Sequence, residues 1–161
     1  MTLAHPKILK LDALLATLIP AREFGQKIVF TNGCFDILHP GHVDLLARCR
    51  SMGDILVLGL NSDGSVRRQG KSPARPVNAF DSRAFVLAHL ESVSYVVGFD
   101  EDTPLRLIEA IKPNMLVKGG DWSVDKIAGK DAVLENGGEV VSIPLIPGYS
   151  TTALIEKIRK L

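Results

Sequence analysis

An α/β fold with a parallel sheet between two helical layers is what this sequence predicts, and three observations carry that expectation. Short, almost wholly apolar runs alternate with helical patterns along most of the 161 residues. Runs such as Ile55-Leu56-Val57-Leu58-Gly59-Leu60 are apolar at nearly every position rather than every second one, as strands covered on both faces must be. Polar clusters follow the first, second, fourth and fifth runs. In a parallel sheet those strand ends share one edge, where open α/β sheets bind ligands at the switch point of strand order. The expected architecture is a Rossmann-like, three-layer α/β/α domain with a five-stranded parallel sheet.

Taken in order, the chain opens on Lys7 and Lys10 ahead of an apolar stretch, much as a leader peptide would. Asp12 abuts that stretch, however, and Leu11, Leu14, Leu15, Leu18 and Ile19 follow the stripe of an amphipathic helix. A surface helix and a linker over Pro20–Gln26 are expected, so residues 1–26 precede a core of 27–161 within one domain. Ile28-Val29-Phe30-Thr31 reads as the first strand, closed by Asn32-Gly33. A helix with Leu45, Leu46, Cys49 and Met52 on one face follows and stops at Gly53. The second strand, Ile55–Leu60, ends at Asn61-Ser62-Asp63-Gly64. Asp81–Leu90 reads as a helix with Phe85, Val86 and Leu90 inward, and Ser94–Gly98 as the third strand. Thr103-Pro104 opens a helix in cap-then-proline order, burying Leu107, Ile108 and Ile111. Asn114–Val117 is the fourth strand, a helix spans Lys130–Asn136, and Glu139–Ile143 is the fifth strand. The final helix runs through Leu154, Ile155 and Ile158.

Composition bounds the function. With 19 basic and 18 acidic residues the formal net charge is +1, so no global field draws the chain to nucleic acid or to a membrane, and any anion site must be local. The two cysteines, Cys34 and Cys49, form no disulfide-framework or C-x-x-C pattern, which suits a reducing compartment. No uninterrupted apolar segment approaches the roughly 18 residues that span a bilayer. A cytoplasmic location is the expectation.

The local anion site is expected at His39-Pro40-Gly41-His42, where the first strand hands over to a helix. Pro40 suits the first helical position, which places His39 near the cap and His42 in the first turn, on a shared face. Both rings then stand beside exposed N–H groups and the positive end of the helix dipole. Gly33 and Gly41 keep side chains away so that a large ligand can approach the backbone. Histidines three apart behind a proline do not match the usual zinc spacings. An ordinary polar helix start is the bland alternative, and it leaves the flanking glycines without a role.

Further along, Ser65–Asn78 carries Arg67, Arg68, Lys71 and Arg75 among two prolines and a glycine. It reads either as a solvated linker or as a cationic flap over a polyphosphate. Gly64 to Gly70-Lys71-Ser72 nearly spells a P-loop but has one residue too many between its glycines. Lys118-Gly119-Gly120-Asp121 offers a compact charge for phosphate and an acceptor for hydroxyls or a base, or else a plain turn. Ser150-Thr151-Thr152 caps the last helix and makes a second anion cradle.

Gly33-Cys34-Phe35-Asp36-x-x-His39-x-Gly41-His42 resembles the G-x-F-D-x-x-H-x-G-H signature of the cytidylyltransferase-like nucleotidyltransferases. Within that superfamily, residues 27–160 most resemble the adenylyltransferases that make ADP-heptose from heptose 1-phosphate for lipopolysaccharide precursors. The finer likeness rests on Thr31–Asp36, Asn61-Ser62-Asp63, Arg75-Pro76, Glu101–Pro104, Leu116–Asp121 and Tyr149–Thr152. It implies AMP transfer from ATP to the sugar 1-phosphate, with Mg²⁺ carried by the phosphates and no metal held by the protein. Such domains are often fused behind a sugar kinase, for which 161 residues leave no room. A free-standing enzyme working with a separate kinase and phosphatase is therefore expected, with a homo-oligomer as the default assembly of such an enzyme.

Residue by residue, the resemblance and the chemistry together assign His39, His42 and Lys71 to catalysis. Asn32, Gly33, Cys34, Phe35, Gly41, Ser150, Thr151 and Thr152 are assigned to the nucleotide. Asp36, Asp63, Arg75, Lys118, Gly119 and Asp121 are assigned to the acceptor substrate. Two alternatives stand beside this reading. Glycerol 3-phosphate cytidylyltransferases are similar, but they carry an arginine where Leu145 and Ile146 stand and a serine or threonine in place of Cys34. A catalytically silent nucleotide-binding regulator would keep the fold without the reaction.

Overall fold

The computed structural model describes residues 3–70, 74–120 and 122–161. Lys71 and Asp121, two of the expected site residues, lie outside the described residues. The chain runs β1 (Ile8–Leu9), α1 (Leu11–Glu23), β2 (Ile28–Gly33), α2 (Pro40–Ser51), β3 (Ile55–Asn61), α3 (Asp63–Arg68) and α4 (Phe80–Ala88). It continues through β4 (Tyr95–Phe99), α5 (Leu105–Ile111), β5 (Met115–Gly119), a 3₁₀ turn at Val124–Lys126, α6 (Lys130–Glu135), β6 (Glu139–Ile143) and α7 (Thr151–Ile158).

All strand pairs are parallel, and the order is β1-β4-β3-β2-β5-β6. The order reverses between β2 and β5, which opens the crevice at their carboxyl ends. Because side chains alternate across a strand, the wholly apolar runs feed two cores. On one face Val29, Leu56, Leu58 and Val117 pack with Leu46 and Cys49 of α2 and Leu87 of α4. On the other, Ile28, Phe30, Val57 and Leu116 pack with Leu14 and Leu18 of α1, Ile108 and Ile111 of α5 and Val133 of α6. Each such fully buried side chain contributes about 1.5–3 kcal/mol, so the three-layer arrangement follows from strands that need cover on both sides.

The sheet has six strands rather than the expected five. The extra one, β1, is a two-residue edge held where the Lys7 carbonyl accepts from the Val96 N–H at 2.8 Å, too short to leave a periodic pattern. Helix α1 also runs on through Pro20, where a linker was expected. Leu14, Leu18 and Ala21 form a continuous buried stripe across the proline, and Arg22 reaches over to the carbonyls of Ile111 and Lys112. Packing outweighs the one helical hydrogen bond that proline removes. In α4 the buried face is Arg83, Ala84, Leu87 and Ala88; of the expected inward residues Leu90 packs against the core and Val86 is about half exposed.

Candidate active site

The turn after β2 is built around a residue in an unusual conformation. Phe35 has φ 44°, the left-handed region that costs a side-chain-bearing residue about 1–2 kcal/mol. Its ring is nearly buried, lies over Gly33 and meets the His42 ring with centroids 5.1 Å apart. A Cβ on Gly33 would stand 2.9 Å from that ring, so the glycine makes room first for the chain's own phenylalanine. Gly41 works likewise: its Cβ would stand 3.1 Å from His39 Nδ1 and 3.3 Å from Tyr149 Cβ.

With Pro40 at the first position of α2, His39 occupies the N-cap but makes no side-chain capping bond, so the bland capping role is not what its ring does. The two imidazoles stack instead, 3.7 Å between centroids and 18° from parallel. Both Nδ1 atoms are buried without a hydrogen-bond partner among the described residues. Burial, together with the facing His39 ring and the nearby Arg75 guanidinium, pushes the His42 pKa down to about 4. Burial lowers that of His39 as well. At neutral pH the site therefore presents two neutral rings, each able to donate one N–H.

Three further walls close a cleft of about 770 Å³ around them. Tyr149 lies beside His39, 6.4 Å between ring centroids, which brings the N-terminus of α7 alongside that of α2. There Ser150 Oγ accepts from the Ala153 N–H at 3.0 Å as the helix cap, and Thr151 and Thr152 line the cleft. Across the switch point, Lys118 Nζ at the end of β5 donates to Asn32 Oδ1 at the end of β2, 2.9 Å away. Gly119 beside it admits Leu45 and Leu145, which a Cβ would meet at 2.6 and 2.9 Å. The third wall holds Cys34, whose Sγ donates to Gln69 Oε1 at 3.3 Å, together with Asn61 and Arg75.

Two of the expected acceptor contacts are used within the fold. Asp36 is buried, with one oxygen accepting from the Val77 and Asn78 N–H groups at 2.8 and 2.9 Å and the other from Arg75 Nε at 2.9 Å. Burial works against the charged form, but these bonds win and hold its carboxyl below the usual range. Asp63 accepts from Arg83 at 2.7 Å. Neither carboxylate is among the residues that line the cleft. The basic segment is likewise partly neutralised, since Arg68 is paired with Asp100 and Asp102.

Sequence reasoning missed Arg83. From the inward face of α4 it donates to the Cys34 carbonyl at 2.6 Å, the Asn78 carbonyl at 2.9 Å and Asp63 at 2.7 Å, joining the signature turn, the segment after Arg75 and the start of α3. The available signal was an arginine on the same helical stripe as Leu87 and Leu90. Trp122, the sole tryptophan and half exposed, also lines the cleft, as does Lys126. Among the described residues no group of three or more His, Cys, Asp or Glu side chains is arranged to hold a metal ion. No helix there is long and apolar enough to cross a membrane.

Comparison with known proteins gives the same picture. The family profile described as "Cytidylyltransferase-like" matches residues 30–157. The chain is 53% identical over 152 residues to the "Bifunctional protein HldE" of Ectopseudomonas mendocina (strain ymp), covering 94% of this chain and 32% of that protein. It is 52% identical over 160 residues to the protein of the same name from Geotalea uraniireducens (strain Rf4), covering 97% and 32%. The chain thus spans about a third of the length of these relatives. Among solved structures it is similar to the lipopolysaccharide core biosynthesis protein from Thermoplasma volcanium GSS1. The TM-score is 0.63 at 26% identity, over 76% of this chain and 98% of that one. Pantothenate synthetase from Thermus thermophilus shares the fold, with TM-score 0.59 at 16% identity, over 87% and 62%.

Proposed function

Because the chain belongs to the cytidylyltransferase-like family, we propose that it transfers AMP from ATP to a sugar 1-phosphate, heptose 1-phosphate, releasing pyrophosphate and ADP-heptose for lipopolysaccharide precursors. The observation that carries this reading is the stacked pair His39 and His42 at the N-terminus of α2, facing the N-terminus of α7 across one cleft. The likeness to proteins named HldE and to a lipopolysaccharide core biosynthesis protein supports the choice of acceptor.

In this mechanism an oxygen of the sugar phosphate attacks the α-phosphorus of ATP, and the bond to the β-phosphate oxygen breaks in line with it. Such a step rests on positioning and charge stabilisation rather than on a covalent intermediate. The neutral rings of His39 and His42 donate N–H groups to the α-phosphate oxygens as negative charge gathers on them. The helix ends at Pro40 and Thr151 add backbone N–H groups and their dipoles. Ser150, Thr151, Thr152 and Lys71 hold the outer phosphates and the departing pyrophosphate. Lys118, oriented by Asn32, sets a positive charge beside the attacking sugar phosphate. Asn32, Gly33, Cys34, Phe35 and Gly41 shape the nucleotide's bed, while Arg75, Gly119 and Asp121 are assigned to the acceptor. Asp102, a carboxylate on the cleft lining, is paired with Arg68, and Asp36 and Asp63 are paired with Arg75 and Arg83, so the donors present fit a Mg²⁺ ion carried on the triphosphate. When bound there, it neutralises charge on the outer phosphates.

The reading also includes a cytoplasmic setting, where ATP is available, a homo-oligomeric assembly, and kinase and phosphatase activities supplied by other polypeptides. Pyrophosphate release tests the central claim, with ATP or CTP and a panel of phosphorylated sugars and alcohols. ATP with heptose 1-phosphate is expected to be the productive pair. Preference for CTP with glycerol 3-phosphate, or nucleotide binding without release, would replace this reading by a cytidylyltransferase or a silent regulator.

A further inference from the structure

With Asp36 and Asp63 withdrawn into ion pairs, the hydroxyls of a sugar phosphate need another partner, and the end of β3 supplies one. Asn61 is 2% exposed and lines the cleft. Its Nδ2 donates to Ser65 Oγ at 3.0 Å, and Ser65 Oγ in turn donates to the Glu101 carbonyl at 2.9 Å. Since the serine proton is spent on that carbonyl, Ser65 can only accept from Asn61, which fixes which end of the amide is nitrogen. Asn61 Oδ1 is left buried with no partner among the described residues. A buried acceptor without a donor is costly, and a bound ligand that donates to it recovers the loss.

The topology says which ligand this is. Strand β2 carries the histidine turn, β5 lies on one side of it and β3 on the other, about 4.8 Å away. Strand β6, which leads to the Ser150 cradle, lies beyond β5. In-line displacement places the attacking and leaving oxygens on opposite sides of the α-phosphorus. If pyrophosphate leaves toward α7, the acceptor lies across the end of β2, its phosphate at Lys118 and Gly119 and its sugar reaching the β3 side, where Asn61 stands with Gln69 and Arg75. We propose that Asn61 is a specificity-determining residue of the acceptor subsite, its Oδ1 accepting a hydrogen bond from a hydroxyl of the phosphorylated sugar. This assignment rests on the nucleotidyl-transfer reading above and names the half of the cleft that reads the sugar.

The test compares parent protein and Asn61→Ala with heptose 1-phosphate and with analogues each lacking one hydroxyl. Asn61→Ala is expected to raise KM for the full sugar about five- to tenfold, the scale of one neutral hydrogen bond, with KM for ATP unchanged. One deoxy analogue is expected to cost the parent a similar factor and to cost the variant nothing more. Ser65→Ala frees the amide while leaving its oxygen in place, and is expected to show a smaller effect. Folding of each variant is followed by thermal melting, and ATP binding by the fluorescence of Trp122. An unchanged KM for the sugar, an equal rise for ATP, or additive losses with every analogue overturns the proposal. Calorimetric binding of the sugar 1-phosphate beside a non-hydrolysable ATP analogue separates the two claims. Asn61-dependent binding without turnover in the parent defeats the transfer reading and leaves the subsite standing. No sugar binding by the parent overturns both.

Discussion

The imidazole planes of His39 and His42 lie 18° from parallel with centroids 3.7 Å apart, and burial pushes the His42 pKa down to about 4. The unfolded chain titrates that group near 6.5, so between the two values it holds more protons than the folded protein. The sign follows: stability is full above about pH 6.5 and falls as the pH drops toward 4. The melting temperature is expected to decline between pH 6.5 and 4.5, above the window in which carboxylates contribute most, and the decline to flatten in His42→Asn. An unchanged slope in that variant would assign the effect to other groups.

A second expectation separates geometry from stability. Alanine at position 41 places a Cβ 3.1 Å from His39 Nδ1, and the ring cannot give way without disturbing its stack on His42. As a helical residue, alanine should leave stability equal or raise it by up to about 1 kcal/mol. Turnover in Gly41→Ala is nevertheless expected to fall about tenfold or more, because small misplacements of a donor are expensive. His42→Ala, which removes a donor outright, should lose about 10²–10³ in kcat. Near-parent turnover in both variants would take the imidazoles out of the chemistry.

Arg83→Met tests the missed residue. It leaves the Asp63 carboxylate without its ion pair and the Cys34 and Asn78 carbonyls without a donor. Removing one partner of a largely buried pair is expected to cost about 3 kcal/mol in urea unfolding. The exposed pair Arg106–Glu101 provides the contrast, and Arg106→Ala should change stability by less than about 1 kcal/mol. Equal effects in the two variants would deny Arg83 its joining role.

Much of this molecule was legible from residue order. The turn His39-Pro40-Gly41-His42 follows from proline's fixed φ and missing N–H at the start of a helix, and the wholly apolar runs from the need to cover both faces of a parallel sheet. The stripe Leu107, Ile108 and Ile111 was read correctly because its helix buries one plain apolar face. By contrast, the stripe of α4 contains Arg83, and an arginine among leucines reads as surface until three acceptors from distant segments surround it. The edge strand β1 and the continuation of α1 through Pro20 likewise depend on partners far along the chain.

By itself, the sequence determined the layered architecture and the two helix starts that border the cleft, because local conformational limits and hydrophobic periodicity act within a few residues. Only the tertiary structure decided which charges stay available for a substrate. Asp36 and Asp63 look like ligand-binding carboxylates in the sequence, yet each is taken by an arginine at least 20 positions away. Asn61, meanwhile, keeps an oxygen without a partner among the described residues at the cleft. Such pairings are decided by which buried groups meet in space, where leaving a charge alone costs more than any local preference can offset.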